Sequence, residues 1–285
     1  MPPKRKAKND KDATKVKAIE GDKQVERDNV SGSTHIVPRP SGLTLEHIQA
    51  ALFRYQDHVS QLSGAKSKTE LQALDEWRLK ELPGLVRSRK PACIDKQQLE
   101  KLMEWKLTRG KFRPTLPGLI AQNTPSKVKS ITQDAFSSLC AMTSSRPSYQ
   151  SFRTILKSLC GALKGVGPAT GSLLLSIYDD RVPFMSDEAY IWIMYADQGT
   201  KKKDVKYTEK GYLDYAVRMW DIAEKVGTTP AELEKVGWVF GREWISGGTL
   251  GPIRGVGENS EVPDETHEDL LKDDPDMPNP KRQKR

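Results

Sequence analysis

The chain is poor in the residues that build metal sites and disulfide frameworks. Its 285 residues include three cysteines, Cys93, Cys140 and Cys160, which lie far apart and form no CxxC pair. That number and spacing exclude a metal knuckle or a set of structural disulfides and suit a reducing compartment. The four histidines, His35, His47, His58 and His267, have no cysteine or carboxylate at ligand spacing. No structural metal and no cofactor are therefore expected. Long apolar runs are missing too, which excludes a membrane-spanning helix. MPPKRKAKND carries charges with no apolar stretch behind them, so a secretory leader is not expected. No segment alternates apolar and polar residues as a half-buried strand would, and no internal repeat is found.

Positive charge is what the chain has in excess. The net charge is +8 and the isoelectric point is near 9.2, a balance that suits a polyanion, above all nucleic acid. Residues 1–42 hold ten Lys/Arg against six Asp/Glu and no aromatic; residues 248–285 hold six against nine. The middle of the chain thus carries +7 by itself. Both ends have too little apolar surface to offset the entropy of ordering, so both are expected to be disordered. PPKRKAK near the start and KRQKR at the end are basic clusters of the kind that direct nuclear import, so a nuclear location is expected.

Residues 43–247 read as one all-α domain. Leu45, Ile48, Leu52, Tyr55, Val59 and Leu62 recur at steps of three and four, the spacing of one helix face. Asp95 and Gln98 make a capping-box pair ahead of Leu99, Leu102 and Met103, and Gly110 is placed to end that helix. Later faces carry Val128, Ile131 and Phe136; Phe152, Ile155 and Leu159; and Tyr212, Tyr215, Met219 and Trp220. Thr229-Pro230 opens the last helix.

LKGVGPATG, residues 163–171, is the most informative stretch. Gly165 and Gly167 permit positive φ and bring bare backbone to the surface. Pro168 suits the first turn of a following helix. Free amides there, with the helix N-terminus, make a site of positive potential that fits a phosphate without any side chain. LKGVGPATGSLLL resembles the hairpin of helix-hairpin-helix DNA-binding proteins. Downstream, DDRVPFMSDEAYIWI is similar to the loop that delivers an aspartate in the helix-hairpin-helix DNA glycosylase superfamily. Asp187 falls at that place, 20 residues after Gly167.

The resemblance covers about residues 155–195 and implies duplex DNA as partner and base excision repair as setting. It implies phosphate contacts at Lys164, Gly165, Val166, Gly167 and Thr170. It also implies that Asp187 stabilises the positive charge that builds on the sugar when an N-glycosidic bond breaks. The pattern is departed from at three positions. Ala169 stands where lyase-competent members carry lysine, which excludes a Schiff base there. Lys164 and Gly171 stand where proline and alanine are usual. A monofunctional N-glycosylase without lyase activity is the enzyme these residues allow.

Other readings stay open. Ser186-Asp187-Glu188 is also what a helix N-terminus prefers, a cap followed by two acids. EWKLTRGKFRP, residues 104–114, places Lys106, Arg109, Lys111 and Arg113 around Trp105 and Phe112. It serves either as a phosphate-contacting edge with aromatic wedges or as a solvated helix end over core aromatics. Lys201, Lys202 and Lys203 are a phosphate clamp or an exposed loop. A non-catalytic DNA-binding module on the same scaffold, or an interaction protein with no nucleic acid partner, would fit the same composition.

Overall fold

The computed structural model describes residues 36–63, 70–200 and 204–252. The basic clusters at both ends and Lys201–Lys203 lie outside these residues. The chain order is β1 (Ile36–Val37), α1 (Leu45–Ser63), α2 (Leu71–Glu76), α3 (Leu82–Ser88), α4 (Lys96–Arg109), α5 (Leu116–Ala121) and α6 (Pro125–Cys140). It continues with α7 (Tyr149–Ala162), α8 (Pro168–Tyr178), α9 (Asp187–Tyr195), α10 (Glu209–Val226), α11 (Pro230–Ile245) and β2 (Thr249–Leu250). The fold is all-α, as the periodicity predicts. A π-helical turn, Trp77–Glu81, joins α2 to α3.

The helix ends follow local chemistry. Asp95 accepts from the Gln98 amide and the Gln98 side chain answers at the Asp95 amide, so the capping box ahead of α4 is complete. Thr229 caps α11 with Pro230 in its first turn. Such a cap is worth about 1 kcal/mol.

Two helices are apolar on every side and therefore sit inside the bundle. In α8, Ala169 to Ile177 are all buried; in α9, Ala189 to Ile193 are buried. The amphipathic α7, α10 and α11 pack around them, and α1 packs on α11. Each large side chain sealed in this core, Trp192, Trp238 and Phe152 among them, stabilises the fold by roughly 1.5–3 kcal/mol.

The domain is larger than the hydropathy pattern marks. Residues 36–42 and 248–252, expected in the tails, belong to the folded body. Ile36–Val37 pairs in parallel with Thr249–Leu250, and Val37 is fully buried. Arg39 donates to the carbonyls of Gly251 and Ala196, and the Trp192 indole donates to the Pro38 carbonyl. Two-residue strands are too short to show an alternating pattern, which is why none was expected.

Candidate functional site

The site is built where α9 meets α11 and the C-terminal end of α4. The helix α11 carries Gly237 and Gly241 four residues apart, on one face. A Cβ at Gly237 would stand 3.1 Å from the Ala189 Cβ, and one at Gly241 would run into the Glu188 carbonyl oxygen. Bare backbone at both positions lets the first turn of α9 lie hard against α11. That contact fixes the placement of Asp187 and Glu188.

Beneath them lies a buried ion pair. Arg109, on α4, donates from both Nη atoms to the Glu234 carboxylate on α11, at 2.9 and 3.3 Å, and both side chains are 2% exposed. The guanidinium lies 4.3 Å from the Trp238 ring centre and 5.1 Å from that of Trp105. Ser186, the residue before Asp187, donates its hydroxyl to Glu234 Oε1 at 2.6 Å. Ser186 occupies the N-cap position of α9 but makes no side-chain cap. Its hydroxyl ties the start of α9 to the ion pair instead.

Above this floor is a small pocket lined by Lys106, Gly110, Lys111, Arg113, Asp187 and Glu188, with Phe184, Ser186, Arg109 and Trp238 below. The fold thus brings Asp187 beside a basic stretch more than 70 residues earlier in the chain. Lys106 is half-buried. Desolvation lowers its pKa and the nearby Asp187 carboxylate opposes that shift. The Tyr207 ring lies under the Arg113 guanidinium at 4.6 Å, and its hydroxyl is close enough to the Asp187 carboxylate to feel its charge. Burial, then the Asp187 carboxylate, push the Tyr207 pKa up. The cleft is open to solvent on one side, and its space for water is about 20 Å³, room for about one water.

Other predicted site residues fall elsewhere. The helices α7 and α8 are joined by Leu163–Gly167, with Gly165 at φ +76°. The turn rests on α5: a Cβ at Gly165 would stand 3.0 Å from the Leu119 Cβ. Asn123 clamps it, accepting from the Lys164 amide and donating to the Lys164 carbonyl, both at 2.9 Å. Gly167 is exposed, and among the described residues the Gly165 and Gly167 amides meet no acceptor. Lys164 is exposed, its Nζ on the Gln122 side chain. The departure at Gly171 has a packing cause, since a Cβ there would stand 3.0 Å from both Cys160 Sγ and Leu156 Cδ1. The turn does not line the Asp187 pocket. The two are linked through α5, whose first amide, on Leu116, donates to the Arg113 carbonyl.

Three expectations are corrected. Arg109 is not on a phosphate-contacting edge; its charge is spent on Glu234 in the core. Val166 and Thr170 are buried, and the Thr170 amide donates to the Gly167 carbonyl, so neither side chain faces a ligand. Within residues 104–114 the aromatics divide: Trp105 is core, with its Nε1 on Asp75, while Phe112 is 67% exposed. The sequence did not single out Glu188, Tyr207 and Glu234 as site residues. Glu188 had a signal, its place beside Asp187; Tyr207 and Glu234 had none.

No family model matches the chain, and no curated protein or solved structure matches it.

Proposed function

We propose that this chain is a nuclear DNA-binding protein that works as a monofunctional DNA N-glycosylase, with Asp187 as its essential carboxylate. The observation that carries the reading is the pocket joining Asp187 to Lys106, Lys111 and Arg113. A carboxylate there would face the sugar cation while the cations hold flanking phosphates. The amides of Gly165 and Gly167, unbonded among the described residues, with exposed Lys164, would anchor a further phosphate. Phe112, exposed between Lys111 and Arg113, would fill the stack left by an extruded base.

The test is an excision assay with labelled duplexes that each carry one damaged or mismatched base. Abasic product is revealed by alkali, and Asp187→Asn is run in parallel. Alkali-labile product that the substitution abolishes supports the reading. Product that persists in Asp187→Asn refutes the role of that carboxylate.

One observation favours a second reading, a non-catalytic duplex-binding module. Asp187 is only partly exposed, and the space beside it holds about one water. This reading expects salt-dependent duplex binding that survives Asp187→Asn and yields no abasic site on any duplex.

A further inference from the structure

Glu188 is the group in the pocket that the reading above leaves unused. It follows Asp187 in the first turn of α9 and lines the same pocket. The residue as a whole is partly exposed, but its Oε2 is sealed from solvent and has no hydrogen-bond partner among the described residues. Two pocket-lining donors share that state, Trp238 Nε1 and Arg109 Nε. Buried polar atoms of native proteins are nearly always paired, so these sealed, unpaired atoms mark unused bonding capacity among the residues that line the pocket.

We propose that Asp187 and Glu188 form a two-carboxylate site, with Asp187 the charged partner of the sugar and Glu188 the carboxylic acid that protonates the departing base. The proposal rests on the glycosylase reading and deepens it. In the reaction the C1′–N bond breaks and its electron pair leaves with the base, which takes the Glu188 proton. Water forms the C1′–O bond and gives its proton to Asp187, which passes it to solvent; Glu188 is reprotonated from solvent. Two carboxyl groups serve opposite roles when their surroundings separate their protonation states.

The surroundings of Glu188 favour its neutral form. Burial is the largest influence and raises its pKa. Its own amide and the guanidinium groups of Arg109 on α4 and Arg242 on α11 oppose the rise, and Asp187 adds to it. The Arg109 charge is already engaged by Glu234.

Two measurements on the full chain test this. The first is an infrared difference spectrum between wild type and Glu188→Gln at neutral pH, with Asp187→Asn as control. A protonated carboxyl stretch that Glu188→Gln removes and Asp187→Asn retains is expected; its absence overturns the proposal whether or not excision is ever seen.

The second measures binding of two duplexes, one with a cationic pyrrolidine at the abasic position and one with neutral tetrahydrofuran. Wild type should prefer the cationic duplex by about tenfold, ~1.4 kcal/mol. Asp187→Asn should lose that preference, and Glu188→Gln should keep it at neutral pH, because replacing a neutral acid removes no charge. Loss of preference in Glu188→Gln means an ionised Glu188 and overturns the proposal. Preference unaffected by Asp187→Asn, or no binding of either duplex at low salt, refutes the glycosylase reading itself and the proposal with it. Circular dichroism on each variant verifies that it is folded.

Discussion

Arg109 separates two ideas about the basic stretch, and replacing it measures which holds. Arg109→Met keeps most of the side-chain volume but leaves the Glu234 carboxylate, 2% exposed, without its bidentate partner. Breaking a buried ion pair from one side costs about 3–5 kcal/mol, because the remaining charge stays uncompensated in the core. The lost cation–π contact with Trp238, at 4.3 Å, adds to that cost. In a folded body of this size ~1 kcal/mol lowers the melting temperature by ~2–4 °C, so the loss should be roughly 6–20 °C. Arg109→Met with Glu234→Leu removes both charges, and a hydrophobic replacement of a buried pair is often neutral or better. The Ser186 hydroxyl then loses its acceptor at about 1–3 kcal/mol, so the double variant should fall between Arg109→Met and wild type. Urea and thermal unfolding of wild type, both singles and the double make a complete cycle. A single variant within ~1 kcal/mol of wild type, or a double variant as unstable as the two singles added together, would refute the account. Salt-dependent duplex binding, measured well below the melting point, should be unchanged by Arg109→Met; a shallower salt dependence would return Arg109 to the phosphate surface.

Three further outcomes are expected. Lys164→Ala and Lys111→Ala should each lower the slope of log affinity against log salt by about 1 if each holds one phosphate, read by titration over a salt series. Gly241→Ala should destabilise the fold by at least about 1–3 kcal/mol, since the new Cβ meets the Glu188 carbonyl on packed backbone; a variant unfolding in urea at the wild-type midpoint would show that α9 and α11 do not pack as described. Because the folded-state pKa of Glu188 is raised above its ordinary 4.5, the folded state holds the proton more tightly than the unfolded chain. That contribution to stability is fully present below pH 4.5 and is lost as pH rises through the folded-state value. Wild type should therefore lose stability relative to Glu188→Gln over that interval, followed by urea midpoints.

How much of this was legible in the sequence depends on whether a feature is local. Helix faces and caps need only near neighbours, and Asp95–Gln98, Thr229–Pro230 and the Ile48–Tyr55–Val59 face of α1 read correctly because the energies that set them act within one or two turns, whereas Leu45 at the helix start is 54% exposed. The turn at 163–167 also reads locally, through Gly165 and Pro168. The pocket does not. Lys106, Lys111 and Arg113 reach Asp187 because α9 packs on α11 while Arg109 ties α4 to Glu234 of α11; the α9–α11 contact depends on Gly237 and Gly241, which in sequence are two unremarked glycines in an amphipathic helix. Arg109 was misplaced for the same reason. In EWKLTRGKFRP it looks equal to Lys106 and Lys111, and the Glu234 that draws it inward lies 125 residues away. The buried charge is the more telling for being expensive. A bundle of this size could be packed with leucine at both positions, yet the pair joins α4 to α11 and, through Ser186, holds the first turn of α9. Removing the Ser186 hydroxyl alone should therefore act on Asp187 more than on the fold. Ser186→Ala deletes one donor whose acceptor, Glu234, keeps both Arg109 bonds. It should cost no more than about 1.5–3 kcal/mol, the range for a hydrogen bond to a charged group. Its larger effect should be a weaker preference for the cationic abasic duplex. Equal loss of affinity for both duplexes would instead assign Ser186 to stability alone.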